Sequence, residues 1–317
     1  MAYMNKNAEL KNGYNAYIDS SVDDMGTQMD VGLLLMEAGD TYVYEDAKKE
    51  VAILLFSGSV TYEWDGKKVE ADRPDCFHHD AYCLLAGCGT KVTITAKAHS
   101  ELYIQATVNE TPYEAVMYTP DKVQVEHKGF GGELMGCMSR EIKTFFDLDN
   151  APFSKMVLGE VLNLPGKWSS YPPHHHPQPE VYFYRFDYPD GFGAGFANGE
   201  IFKTQHNGCA VINHGFHSQT AAPGPTEEVA TQICLRFICL AKATAAWAMP
   251  CSFWPCQISR CLASWLRAWP RPTTLPWPGM MNTPRTKRLC SPSTSIYWFS
   301  RKRTKACAMV KRTVFMG

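Results

Sequence analysis

From residue 229 onward the chain contains no aspartate and no glutamate. All 32 acidic residues lie in residues 1–228, beside 17 of the 31 Lys and Arg; the other 14 stand without counter-charge in the last 89 positions. The formal net charge of -1 therefore hides a strongly acidic body and a basic tail. Long apolar runs are missing too. The longest charge-free stretch of the tail, 243–259, is interrupted by Pro250 and Pro255 and is too short to cross a membrane. The N-terminus (MAYMNKNAELKNGYNAY) has no apolar core of the kind a secretion signal needs, which predicts a cytoplasmic protein. No convincing helical periodicity interrupts the first two thirds of the chain, and this excludes helical bundles and alternating α/β folds.

What is present is a succession of short apolar runs. With 317 residues, 45% of them hydrophobic, the chain can fill two domains of ordinary size. Residues 1–30 read as an irregular lead-in. Strands are expected over 31–36, 41–44, 51–56, 59–64, 67–70, 82–85, 91–96 and 102–106, with Asp65-Gly66 as a tight hairpin turn. A connection over 107–150 carries further short strands, and the pattern restarts at 156–164. Close-spaced strands with Gly and Pro punctuation imply an all-β antiparallel sandwich or barrel.

The restart resembles the beginning. Gly32 to Gly39 parallels Gly159 to Gly166, Glu50-Val51 parallels Glu180-Val181, and Leu84 to Gly87 parallels Ile212 to Gly215. A near-constant spacing of this kind predicts two copies of one barrel in tandem. The expected domains are 1–120, an N-terminal barrel without a metal site; 121–228, a barrel with one; and 229–317, an aberrant basic tail, disordered or poorly packed.

The chemistry concentrates between two strands of the second copy. His174, His176 and Glu180 lie in the segment HHHPQPE, followed by the aromatic run 181–186. On an extended backbone His174 and His176 point to one side and His175 to the other, and Glu180 shares the parity of the first two. Two imidazoles and a carboxylate suit one divalent transition metal such as Mn, Zn, Fe or Ni. His217, after the apolar run 209–212, is the best candidate for a fourth ligand. The first copy has Tyr44 and Asp46 in place of His174 and His176, and Gly89 in place of His217, so it is not expected to hold the same ion. Tyr182 and Tyr184 share the parity of Glu180 and are weak candidates for a catalytic base, with aromatic filling as the alternative. Arg185 suits a substrate carboxylate but its parity points it out of the barrel; Lys167 and Lys203 are weaker still.

An HxH, three residues, Glu, and a later Gly-x-His resemble the metal signature of cupins, small antiparallel barrels. The stretch GKWSSYPPHHHPQPEVYFYRF resembles the 5-deoxy-glucuronate isomerase family of inositol catabolism, related to the 4-deoxy-5-hexosulose-uronate ketol-isomerases, and Gly215-Phe216-His217 with Ala221-Ala222-Pro223-Gly224 fits the same family. The resemblance covers about residues 20–224. It implies that His174, His176, Glu180 and His217 are the metal ligands. It further implies an isomerase converting 5-deoxy-D-glucuronate to 2-deoxy-5-keto-D-gluconate, acting on a small sugar acid, with no nucleic-acid or membrane partner, as a homo-oligomer. The alternatives are a non-catalytic bicupin that binds a sugar acid, another cupin chemistry such as dioxygenation, and an inactive product.

From about Pro225 the family pattern stops. The absence of acids, six of the chain's eight Trp and seven of its twelve Cys mark the tail as the product of a wrong reading frame, entered between Gly224 and Gln232. Such a tail would remove the last barrel strand and leave a sheet edge unpaired.

Overall fold

A computed structural model of the chain describes residues 2–169, 174–188 and 190–223, together with the backbone of 234–241. The strands of the first half are β1 (Ala2–Asn5), β2 (Gly13–Ile18), β3 (Met29–Met36), β4 (Thr41–Tyr44), β5 (Lys49–Trp64), β6 (Lys67–Arg73), β7 (Cys83–Ala86), β8 (Val92–Ala96), β9 (Ser100–Val108) and β10 (Val116–Tyr118). Those of the second are β11 (Gln124–Lys128), β12 (Arg140–Phe146), β13 (Met156–Asn163), β14 (Glu180–Phe186), β15 (Phe192–Ala197), β16 (Glu200–Gln205), β17 (Gly208–Ile212), β18 (His217–Ala221) and β19 (Cys234–Ala241). Among the described residues every strand pairing is antiparallel, and helix is confined to three short 3-10 turns.

Two large curled sheets form the body. One runs β10-β7-β5-β9-β3-β2, the other β1-β17-β14-β19-β13-β12-β11. The central orders β7-β5-β9-β3-β2 and β17-β14-β19-β13-β12 follow the same plan. Alternation along each strand then sorts the side chains. On β14, Val181 and Phe183 pack between the large sheets with Phe56, Tyr103 and Phe145. Tyr182, Tyr184 and Phe186 face the other way, toward Ala197 and Ala221 of the three-stranded sheet β16-β15-β18. On β5, Val51, Ile53 and Leu55 fill the corresponding core of the first half.

Four expectations need correction. The lead-in is not irregular. β2 pairs with β3, and β1 joins the sheet of the second half, with Tyr3 opposite Ala210. A four-residue strand whose partner lies some two hundred positions away leaves no local signature. The runs 51–56 and 59–64 are one strand, β5, bent by a bulge where its register against β9 shifts between Leu55 and Ser57. Gly58 follows the bend at φ +107, and a Cβ there would lie 2.3 Å from Ser100 Oγ, so the crossing requires glycine.

The third correction concerns the end of the fold. β19 lies in the stretch assigned to a wrong frame, yet it pairs with both β13 and β14 at the centre of its sheet. The apolar sequence CLRFICLA supplies what a central strand needs. The sheet therefore keeps the strand that the frame reading removes. The rest of the expected tail, 229–233 and 242–317, lies outside the described residues.

The fourth is the alignment of the two halves. Val51 pairs with Ala86 and Ala106 as Glu180 pairs with Ile212 and Leu240. Val51, not Glu50, thus stands in the place of Glu180. Glu50 faces the opposite side and accepts hydrogen bonds from Asn109, Tyr113, Ser154 and the Lys155 backbone.

The two halves are also joined by a fully buried ion pair. Arg73 grips both carboxylate oxygens of Glu160 at 2.8 and 3.0 Å, and its remaining donors reach the carbonyls of Leu55 and His79. Such satisfaction is what makes a buried pair tolerable.

Candidate metal centre

β13 ends at the Pro165-Gly166 turn, where Gly166 takes φ +68. Residues 170–173 lie outside the description. The chain re-enters it at His174, whose backbone forms a two-way bridge with His217: N–H to carbonyl at 3.0 Å one way and 2.8 Å the other. This bridge sets His174 beside the first residue of β18, and Glu180, the first residue of β14, faces the same interior. His175 points away, exposed, with its ring against Phe216. Between His174 and Glu180 the backbone bends at 177–178 rather than running as one strand, so Glu180 reaches the interior through β14 and not by continuing the alternation of the histidines.

His174, His176 and His217 each bring a possible ligand atom within 4.8 Å of the others. His217 is 1% exposed and Glu180 3%, while His174 and His176 are half-buried. The hydrogen bonds on the far side of two rings fix their tautomers. His176 Nδ1 lies 2.9 Å from the Gln178 carbonyl and His217 Nδ1 lies 3.2 Å from the Gly215 carbonyl. A carbonyl only accepts, so both Nδ1 atoms carry the proton, and in the neutral rings both Nε2 atoms present lone pairs. Each Nε2 is 3.1 Å from the same oxygen, Oε2 of Glu180, and that of His217 makes no hydrogen bond.

Two lone pairs aimed at a buried carboxylate oxygen repel it unless a cation lies among them. Ligand atoms at about 2.1 Å from one ion, at right angles to each other, sit about 3 Å apart. The donor set and its spacing therefore fit a divalent transition metal, which His174, His176 and His217 could hold with the Glu180 carboxylate beside them.

The neighbouring candidates separate clearly. Tyr182 donates its hydroxyl proton to Glu180 Oε2, which places it at the centre. Tyr184 donates to Gln219 Oε1 at 2.7 Å. Arg185 turns away, as its parity requires: its guanidinium meets Glu101 and Asn207, each at 2.5 Å, and lies over the Phe56 ring. Lys203 sits over Phe192, 5.0 Å from the ring centre. Sequence reasoning missed Gln219. Its signal was there, since it follows His217 by two residues on the same strand and so shares its face.

Among the described residues the first half has no such centre. Tyr44 and Asp46 line a cavity of about 180 Å³ with Tyr14, Tyr42, Asp19 and Asp30. Val51 occupies the carboxylate position. Nor does thiol chemistry suit the interior: burial pushes Cys209 up to about 12 and Cys76 up to about 11, which keeps both thiols protonated at neutral pH.

Comparison with known proteins places this geometry in a family context. The model of the KduI/IolB family matches residues 3–227. A 5-deoxy-glucuronate isomerase of Geobacillus thermodenitrificans (strain NG80-2) is 23% identical over 204 residues, covering 59% of this chain and 72% of the relative. A protein of the same name from Lacticaseibacillus casei is 23% identical over 237 residues, covering 68% and 85%. Among solved structures, an IolB-like protein from Salmonella typhimurium LT2 superposes with a TM-score of 0.66 at 17% identity, over 75% of this chain and 92% of that one.

Proposed function

The chain belongs to the KduI/IolB family, and from that premise we propose that it is a metal-dependent aldose–ketose isomerase converting 5-deoxy-D-glucuronate to 2-deoxy-5-keto-D-gluconate. The enzyme class follows from the family and from relatives named as isomerases. The metal dependence in this reading rests on one observation above all: two imidazole nitrogens and a buried carboxylate oxygen converge with ligand-like spacing. The matching strand orders of the large sheets support two tandem cupin barrels, of which only the second carries the chemistry.

His174, His176, His217 and Glu180 would hold the ion. When bound, a divalent ion supplies Lewis-acid stabilisation of the negative charge that an enediolate places on two neighbouring oxygens. The protein's own residues do the rest. A base removes the proton from the hydroxyl-bearing carbon; the C–H electron pair forms the C=C bond of an enediolate as the carbonyl π pair moves onto its oxygen. The hydroxyl proton passes to that former carbonyl oxygen, the other oxygen becomes the ketone, and the base returns the carbon-bound proton to the former carbonyl carbon. Tyr182 is the side chain best placed to hold that proton, because its hydroxyl already hydrogen-bonds at the ligand carboxylate. The apolar and aromatic wall of Tyr184, Phe186, Ala197 and Ile212 excludes water from the intermediate.

The test is direct. Purified protein is stripped with a chelator, reloaded separately with Mn, Fe, Ni or Zn, and incubated with 5-deoxy-D-glucuronate while product is followed by NMR. Metal-restored formation of the ketose supports the reading. Sugar-acid binding by the loaded protein without turnover would replace it with a binding function, and oxygen uptake with Fe(II) would replace it with dioxygenation.

A further inference from the structure

The interior beside the histidines holds a polar atom that neither the fold nor the ligand set uses. Gln219 lies on β18 two residues beyond His217, on the same face, and is 3% exposed. Its Oε1 accepts the Tyr184 hydroxyl proton at 2.7 Å. That bond orients the amide and leaves Nε2 as the remaining donor. Nε2 is buried and has no hydrogen-bond partner. The backbone is held as firmly: the Gln219 carbonyl accepts from the Ser169 N–H at 3.0 Å and from its hydroxyl at 3.3 Å. The donor is therefore fixed from both ends.

A buried amide N–H without a partner is costly, and most folds satisfy one or replace the residue. A glutamate or other pure acceptor would serve Tyr184 without leaving a buried N–H unpaired. We propose that Gln219 is a substrate-binding residue, donating from Nε2 to an oxygen of the sugar acid next to the metal-held atoms. The inference rests on the proposed isomerase reading for the location of the substrate, and on the orphaned donor for the role. Its chemical content is specific. The ligand must present a hydroxyl or carbonyl oxygen to this amide, and Tyr184 acts through Gln219 as a positioning residue. A site built to hydrogen-bond a substrate oxygen discriminates strongly against ligands that lack it.

Two variants test this on the full chain. Gln219→Met keeps length and volume but removes the donor without adding charge. Gln219→Glu keeps an acceptor for Tyr184 and turns the donor into an acceptor. Four quantities are measured for each: metal content, melting temperature, kcat and KM for 5-deoxy-D-glucuronate, and calorimetric affinity for D-glucarate, whose C1 carboxylate cannot isomerise, as an unreactive probe. The expected result is unchanged metal content and melting temperature, with probe affinity and kcat/KM both falling about tenfold or more. Unchanged probe affinity in Gln219→Met with normal metal content would overturn the role of Gln219 and leave the isomerase reading standing. Loss of metal in both variants would also overturn it, by making the residue a support of the ligand set. If the wild-type protein shows no turnover, the isomerase reading fails separately. The probe still decides: weaker binding by Gln219→Met supports the contact, and equal or no binding refutes it.

Discussion

His217 Nε2 and Glu180 Oε2 face each other at 3.1 Å in a nearly closed interior, without a hydrogen bond between them. The other nitrogen of the ring is committed to the Gly215 carbonyl, so the imidazole cannot relieve the contact by presenting a proton while neutral. A positive ion is the simplest partner for both atoms, and the first expectation follows from it. His217→Ala and His174→Ala should each lower metal affinity by at least about 100-fold and abolish isomerisation. Circular dichroism should show the strand content retained. Full activity in either variant would remove the metal-centre reading.

Tyr182→Phe separates chemistry from assembly. The substitution deletes only the hydroxyl that donates to Glu180. Metal content should hold within about twofold, while kcat falls by about 100-fold or more if the hydroxyl moves the proton. A kcat equal to that of the wild type would reduce Tyr182 to aromatic filling.

The Arg73–Glu160 pair is fully buried and joins the two halves. Removing one partner strands the other charge, so Glu160→Ala should cost about 3–5 kcal/mol in urea unfolding. The double substitution Arg73→Met with Glu160→Met should cost less than the single one, because neither charge then remains. A double variant at least as unstable as the single would show that the pair contributes net stability beyond compensating its own burial.

His206 carries the pH prediction. Burial, followed by the nearby Arg185 guanidinium, lowers it from 6.5 to about 4, against an opposing pull from Glu101. The folded protein keeps it neutral while the unfolded chain takes up a proton below about pH 6.5. Its contribution to stability is therefore whole above pH 6.5 and is lost as pH falls toward about 4. The loss is roughly 2–3 kcal/mol. His206→Asn, which can still accept from the Phe186 N–H, should flatten that part of the stability profile. An identical decline in both proteins would assign the acid sensitivity to other groups.

The reading frame can be checked on the gene. Translating all three frames across codons 222–250 is expected to uncover an acid-containing continuation in another frame. If only the present frame stays open, the basic stretch is a genuine part of the protein. β19 already narrows the question, since residues 234–241 fit the sheet as they stand.

The sequence by itself determined what is local. A strand alternates every residue, so parity along β14 put Glu180, Tyr182 and Tyr184 on one face and pointed Arg185 away from it. Apolar runs bounded by turns placed most strands to within a residue or two. Tertiary structure decided what depends on register between distant strands. It joined β1 to β17, put β19 between β13 and β14, and matched Glu180 with Val51. It also brought His217 onto the same carboxylate oxygen as His176 and left Gln219 Nε2 without a partner beside them. Register is fixed by hydrogen bonds across the sheet and by the packing of both its faces, and neither is written in the spacing of residues along one strand.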